Sequence, residues 1–146
     1  MNNLHLTKIR QHFKNNSLVN VKGELTKELL KLRPFIKPGA SIALAVGSRG
    51  IKNLALVVKE VAEFIKENNA FPFIIPAMGS HGDSNAEGQA EILAGYGISE
   101  KTIGVPVRSS MEVVEMPKGD SPIHVFMDRN AFDSDGLILI NRIKPH

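Results

Sequence analysis

The sequence predicts an α/β fold built on an open, mostly parallel sheet, with helices on both faces and a small antiparallel hairpin. Unbroken apolar runs at Ser41–Val46, Phe73–Ile75 and Gly136–Ile140 are typical of strands that helices cover on both faces. A helical pattern follows each of the first two runs, and such alternation favours right-handed crossovers and parallel pairing. Because 146 residues suffice for a single domain, we predict one Rossmann-like unit.

Two helices are predicted in the first half of the chain. Leu4–Phe13 alternates poorly between apolar and polar residues and is interpreted as an extended arm. Apolar residues at helical spacing then predict a helix from Val21 to Arg33, which Pro34 ends. A longer apolar stripe, with lysines and glutamates largely away from it, predicts a second helix within Ile51–Asn68.

A strand-to-helix turn follows the second apolar run. Gly79 and Gly82 leave the backbone free to turn tightly around His81. Ser84–Glu87 then fits a capping box, in which serine and glutamate side chains satisfy free amides at a helix start, so a helix is predicted up to Ala94. In open parallel sheets, ligands bind at the carboxyl ends of strands, which is where this turn lies.

The remaining elements are shorter. Ile103–Val107 is predicted as a third strand, and Met111–Met116 with Pro122–Phe126 as a hairpin around the turn at Pro117–Asp120. Asp128–Asp135 is interpreted as a polar connection or one helical turn. The last apolar run, Gly136–Ile140, is predicted to be fully buried.

Composition excludes several classes of protein. The net charge of +3 is modest, and the lysines alternate with acidic residues along helices, so we interpret them as solvated faces and predict no nucleic-acid partner. Without cysteine the chain has no disulfide, thiolate nucleophile or thiolate metal site. Neither a signal peptide nor an apolar run of membrane-spanning length is present, so we predict no membrane association and a cytoplasmic location.

Three of the predicted strands end in loops with complementary chemistry. Arg49 lies in GSRG, His81 in GSHGD, and Lys144 and His146 in NRIKPH. Arginine binds carboxylates or phosphates through two parallel hydrogen bonds, and histidines exchange protons near neutral pH. These loops therefore predict a small-molecule site at the carboxyl edge of the sheet.

Each of these residues also has an ordinary interpretation. Arg49 could pair with a surface carboxylate, and Asp83 fits a helix cap better than a base because it lies next to the predicted helix start. His146 is the last residue of the sequence. The other histidines are interpreted as ordinary surface or strand residues: His5, His12 and His124.

Three motifs in order resemble a known family. GSRGIKNL, PAMGSHGDSNAEGQAEILAGYGI and DGLILINRIKPH are similar to the N-terminal domain of the nickel-pincer-nucleotide lactate racemases and their relatives, over nearly the whole chain. The resemblance implies an isomerase whose single N-terminal α/β domain spans residues 1–146, with a C-terminal domain outside this chain. By motif position, Arg49 would bind the substrate carboxylate, and His81 and His146 would act as general acid and base.

The resemblance also implies a pyridinium-derived cofactor carrying nickel, which takes a hydride from the hydroxyl-bearing carbon and returns it to the opposite face. Ser48, Gly79 and Ser80 would contact this cofactor. The tethering lysine and the nickel-binding histidine of the family are expected beyond His146, so no metal ligand is assigned within the chain. We accordingly expect the chain alone to fold but not to racemise 2-hydroxy acids.

One departure leaves the substrate open. The racemases proper have D-H-T-R where this chain has Val46-Gly47-Ser48-Arg49, so the predicted substrate is a small 2-hydroxy carboxylate rather than lactate in particular. One alternative is a non-catalytic domain on the same fold that binds a small carboxylate or a nucleotide. Another is a metal hydrolase that uses His81, Asp83 and His146.

Overall fold

The computed structural model describes residues 7–12, 17–117, 119 and 122–143. A 3-10 turn at Arg33–Phe35 follows the first helix. The helices and strands are, in chain order, α1 (Val21–Leu30), β1 (Ser41–Val46), α2 (Leu54–Glu67), β2 (Phe71–Pro76), α3 (Ala86–Gly95), α4 (Glu100–Ile103), β3 (Val113–Glu115), β4 (Phe126–Asp128), α5 (Arg129–Phe132) and β5 (Gly136–Ile140).

The main sheet is parallel and has the strand order β2-β1-β5. Val46, the last residue of β1, is in register with Pro76 of β2 and Ile140 of β5, so the three strands end at the same edge. A separate antiparallel pair joins β3 to β4. The predicted α/β class, with a parallel sheet and a small hairpin, is therefore confirmed.

The two faces of the sheet are covered unequally. Ile42, Leu44 and Val46 of β1 point into a large apolar cluster with side chains from α1, α2, α3 and α4. Ala43 and Ala45 point the other way, into a small cluster that includes Ala131 of α5. Burying a Leu or Ile side chain stabilises a fold by roughly 1.5–3 kcal/mol, so most of the stability comes from the first face.

The prediction that Gly136–Ile140 is fully buried was wrong. Ile138 and Ile140 pack with the large cluster, whereas Leu137 is 39% and Leu139 71% exposed. Among the described residues β5 is an edge strand, and the single turn of α5 covers the alanines of β1 instead. An unbroken apolar run cannot reveal this, because it describes the side chains and not what lies over them.

The predicted strand at Ile103–Val107 was also wrong. Ser99 and Thr102 form a capping box that starts α4, and Gly104, with φ of 78°, ends it. Only Val107 pairs with the sheet, through a single parallel bridge to Ile74. Local capping therefore overrides the β propensity of the short apolar run.

Other boundaries shift by a few residues. The helix predicted to reach Arg33 ends at Leu30, because Pro34 has no N–H to donate to the Leu30 carbonyl. Pro34 lies inside the 3-10 turn that follows. The hairpin is confirmed: β3 lies within the predicted Met111–Met116, whereas β4 begins at the last residue of the predicted Pro122–Phe126. The helix α5 is the helical turn that was one of the two expectations for Asp128–Asp135.

Part of the predicted N-terminal arm is described. Residues 7–12 belong to no helix or strand, and the rest of Leu4–Phe13 lies outside the described residues. None of the helices in the described part of the chain is long and apolar enough to cross a membrane.

Candidate functional site

The common edge at which β1, β2 and β5 end carries loops 47–50, 77–85 and 141–143. The hydroxyl Oγ of Ser48 lies 2.6 Å from Nδ1 of His81, which joins the first loop to the second. The N–H of Gly47 donates to the carbonyl of Ile140, which joins the first loop to the end of β5. The structure thus brings the motif of Arg49 and the motif of His81 together.

Gly47 is in close contact with the third motif. A Cβ built on Gly47 would lie 2.8 Å from Cγ of Asn141 and closer still to its Oδ1. The Asn141 side chain therefore occupies the space that any larger residue at position 47 would need. Its Oδ1 also accepts a hydrogen bond from the N–H of Arg142 at 2.8 Å, which fixes its orientation.

Loop 77–85, which contains His81, is called the histidine loop. The helix after it begins one residue later than predicted. Asn85, in an extended conformation, is the N-cap of α3 and accepts a hydrogen bond from the N–H of Gly88 at 2.7 Å. The predicted capping box was therefore wrong: the Ser84 hydroxyl donates instead to the carbonyl of Ser80. Asp83 is not the cap either, since Asp83 and Ser84 both have positive φ, of 54° and 55°.

The histidine loop is pressed against α3 through two glycines. A Cβ on Gly82, whose φ is +66°, would lie 2.5 Å from the backbone of Gly88 and Gln89. The buried side chain of Gln89 donates from Nε2 to the carbonyl of Gly79 at 2.8 Å. These contacts hold the loop on both sides of the exposed His81.

The other end of α3 holds the first loop. The hydroxyl of Tyr96, the C-cap residue of α3, donates to the carbonyl of Ser48 at 2.6 Å. One helix thus supports the histidine loop at its start and Ser48 at its end. Sequence reasoning missed Gln89, Tyr96 and Asn141, although all three lie within the motifs that carry the family resemblance.

Comparison of the chain with protein-family models, with curated proteins and with solved structures found no match. The assignment of a function therefore depends on the geometry of this edge and on the motif resemblance.

The edge carries several hydrogen-bond donors that could bind an anion. Arg49 is exposed, and within the described residues its guanidinium has no ion pair. The N–H groups of Gly79 and Ser80 have no hydrogen-bond acceptor in the same part of the chain. A guanidinium and free backbone N–H groups are the donors that proteins use to bind carboxylates and phosphates.

Two predicted residues lie outside the described residues. These are Lys144 and His146, so the pairing of His146 with His81 across the site stays a prediction. Of the ordinary histidines, His12 is exposed and His124 pairs with Glu115 across the hairpin. No group of three or more histidine, cysteine, aspartate or glutamate residues that could hold a metal ion occurs in the described ranges.

Clefts occur elsewhere on the surface. One of about 420 Å³ lies at the opposite edge of the sheet beside Lys37 and Asp135, and one of about 410 Å³ contains Arg108, whose guanidinium stacks over Phe73. A third, of about 340 Å³ between α1, α2 and β5, reaches Asn141. None of these three clefts includes Arg49 or His81. The candidate site is therefore an open edge of the sheet, identified by its functional groups and not by a cleft.

Proposed function

We propose that this chain is the N-terminal catalytic and cofactor-binding domain of a cytoplasmic, nickel-dependent 2-hydroxyacid racemase or epimerase. The observation that carries the proposal is the Ser48–His81 hydrogen bond, because it joins the loop of an exposed arginine to the loop of an exposed histidine at the carboxyl edge of the sheet. An anion-binding group and a proton-exchanging group side by side suit a substrate with a carboxylate next to a hydroxyl.

The residues of this chain have separate roles in the proposal. Arg49 binds the carboxylate with its planar fork and so orients the carbon that bears the hydroxyl. His81 takes the hydroxyl proton in one direction of the reaction and returns it in the other. His146 would do the same from the opposite side, as its motif position implies.

The glycine-rich loop fits the nucleotide part of the implied cofactor. Apart from Gly79 and its two chain neighbours, no described residue has an atom within 4 Å of the position that a Cβ on Gly79 would take. The N–H groups of Gly79 and Ser80 have no acceptor in the same part of the chain. Open space and backbone donors are what a nucleotide phosphate needs. The cofactor would supply hydride storage, which no side chain provides.

The experiment that tests the proposal uses the longer protein that the resemblance implies, loaded with mature cofactor and given a single enantiomer of lactate or a larger 2-hydroxy acid. We expect the optical purity to fall with time, and His81→Gln to slow this by about 10²–10⁴-fold because the proton acceptor is removed. His124→Gln, on the hairpin, is the matched control and should retain activity. Stable optical purity with every acid, or full activity of His81→Gln, would contradict the proposal.

A non-catalytic anion-binding domain is the second candidate, since Arg49 and the free N–H groups could hold a small carboxylate or a nucleotide without any chemistry. The two candidates differ in what His81→Gln does. In a binding domain, the wild-type protein inverts no 2-hydroxy acid, and His81→Gln binds the ligand as tightly as wild type. In a racemase, the wild-type protein inverts its substrate and His81→Gln does not.

A further inference from the structure

The two ring nitrogens of His81 have different surroundings. Nδ1 lies 2.6 Å from the Ser48 hydroxyl. Nε2 has no hydrogen-bond partner among the residues that the structure describes, and the side chain is exposed at the edge of the sheet. The nitrogen available to a ligand is therefore Nε2.

A serine hydroxyl can accept a hydrogen bond from a histidine ring nitrogen. As a base, neutral His81 with its proton on Nδ1 takes a second proton at Nε2 and becomes the imidazolium. As an acid, the imidazolium gives that proton back from Nε2. Nδ1 keeps its proton in both forms, so the Ser48 hydroxyl can accept from it throughout the exchange.

Ser48 is itself held in place. Its carbonyl accepts from the Tyr96 hydroxyl at 2.6 Å, at the C-terminal end of α3. The N-terminal end of the same helix carries the histidine loop through the close approach of Gly82 to Gly88. Both partners of the Ser48–His81 hydrogen bond are thus anchored to one helix, which keeps them together.

We propose that Ser48, held by Tyr96, is a positioning residue that fixes the His81 ring, selects Nε2 as the proton-exchanging atom and supports it both as acid and as base. This inference rests on the proposed function. A racemase works in both directions, so each of its proton-exchanging groups must take a proton in one direction and give it back in the other. A hydroxyl that accepts from Nδ1–H in both the neutral and the imidazolium form allows this without rotation of the ring.

The test is a pH titration of the chain labelled with ¹⁵N-histidine, followed by long-range ¹H–¹⁵N correlation, with His81 assigned from its loss in His81→Gln. In wild type, neutral His81 should favour the tautomer with the proton on Nδ1 more strongly than the exposed His12 does. Ser48→Ala should bring His81 to the ratio of His12, and Ser48→Thr should restore the wild-type ratio. Tyr96→Phe should have a smaller effect in the same direction as Ser48→Ala.

Ser80→Ala is the matched control, because Ser80 adjoins His81 and its hydroxyl has no partner among the described residues. A tautomer ratio of His81 in Ser48→Ala that equals the wild-type ratio, or a Ser80→Ala effect as large as that of Ser48→Ala, would overturn the inference. The titration needs neither cofactor nor substrate, so its outcome is separate from the success of the racemisation assay.

In the cofactor-loaded longer protein, Ser48→Ala should lower kcat on the order of tenfold to a hundredfold by misplacing the ring, with little change in KM. Ser48→Thr should recover most of the loss. A fall confined to KM, or no recovery with threonine, would contradict a positioning role.

Discussion

Arg49 carries its charge on a planar guanidinium that can bind both oxygens of a carboxylate, whereas the ammonium of lysine acts as a point charge. Arg49→Lys should therefore keep the charge but lose the orientation of the substrate. We expect kcat/KM for a 2-hydroxy acid to fall by at least about tenfold, which corresponds to about 1.4 kcal/mol.

Steady-state kinetics of the cofactor-loaded longer protein checks this prediction. Arg33→Lys, in the exposed 3-10 turn, is the control and should behave as wild type. Unchanged catalytic efficiency of Arg49→Lys would remove Arg49 from the site.

In the histidine loop, Gly82 has no room for a side chain. Its φ of +66° disfavours other residues, and a Cβ would also lie 2.5 Å from the backbone of α3. Gly82→Ala should lower the free energy of unfolding by about 2–4 kcal/mol, from strain and overpacking together.

Gly79→Ala separates strain from overpacking, because Gly79 has a similar φ of +61° but no described residue beyond its chain neighbours lies within 4 Å of a Cβ. It should cost only about 1 kcal/mol, from strain alone. Chemical denaturation of both variants measures the difference, and equal losses would show that the loop does not press on α3.

Among the helices and strands, sequence patterns predict a segment well when the residues of that segment alone determine its structure. The bounds of β1 and β5 agree with the predicted runs, and α2 lies within its predicted stripe. The failures lie where two local signals compete. Ser84 and Asn85 are both suitable N-cap residues by sequence. Asn85 is the N-cap of α3, because Asp83 and Ser84 have positive φ, which is not the conformation of an N-cap. The Ser99 capping box likewise competes with the apolar run that follows it.

Asp135 links the start of β1 to the start of β5. Its carboxylate accepts from the N–H and the hydroxyl of Ser41 at 2.8 and 2.9 Å. The hydrogen bond from the Ser41 backbone, and then the one from its side chain, lower the pKa of Asp135 below its ordinary value of 3.8. Since the native pKa is lower than the unfolded one, this stabilisation is fully present above pH 3.8 and is lost as the pH falls through the native pKa.

Asp135→Asn should therefore be less stable than wild type at pH 7, and the difference should narrow below pH 3.8. Denaturant unfolding at pH 7 and at acid pH measures it. Asp133→Asn is the control, as Asp133 is exposed and its carboxylate has no hydrogen bond within the described residues. A stability difference that stays constant with pH would contradict the role of the charge.

The two faces of β5 allow a test of its half-exposed position. Leu139 is 71% exposed, whereas its neighbour Ile138 packs against the large cluster. Leu139→Ala should change the free energy of unfolding by no more than about 0.5 kcal/mol, and Ile138→Ala should lower it by about 2 kcal/mol. Thermal or chemical denaturation of the two variants measures this contrast, and similar losses would mean that Leu139 is covered in solution.

For the whole molecule, the position of the candidate site residues could be predicted from the sequence, whereas the hydrogen bonds between them could not. Parallel strands place loops 47–50 and 77–85 at one edge, so Arg49 and His81 could be predicted there from the alternation of strands and helices. The contacts of Ser48 with His81 and Tyr96 span 33 and 48 residues of sequence. Such contacts depend on the packing of α3 on the sheet, which no local pattern contains.

If this edge belongs to an enzyme that inverts a 2-hydroxy acid by moving a hydride, as we propose, racemisation in D₂O distinguishes it from an enzyme that removes a proton from carbon. A stored and returned hydride does not exchange with solvent, whereas a proton removed from carbon by a base does. With cofactor-loaded longer protein and a single enantiomer, we expect loss of optical purity while the carbon bearing the hydroxyl keeps its protium, as followed by chiral chromatography and mass spectrometry. Incorporation of deuterium at that carbon, or no loss of optical purity with any 2-hydroxy acid, would contradict it.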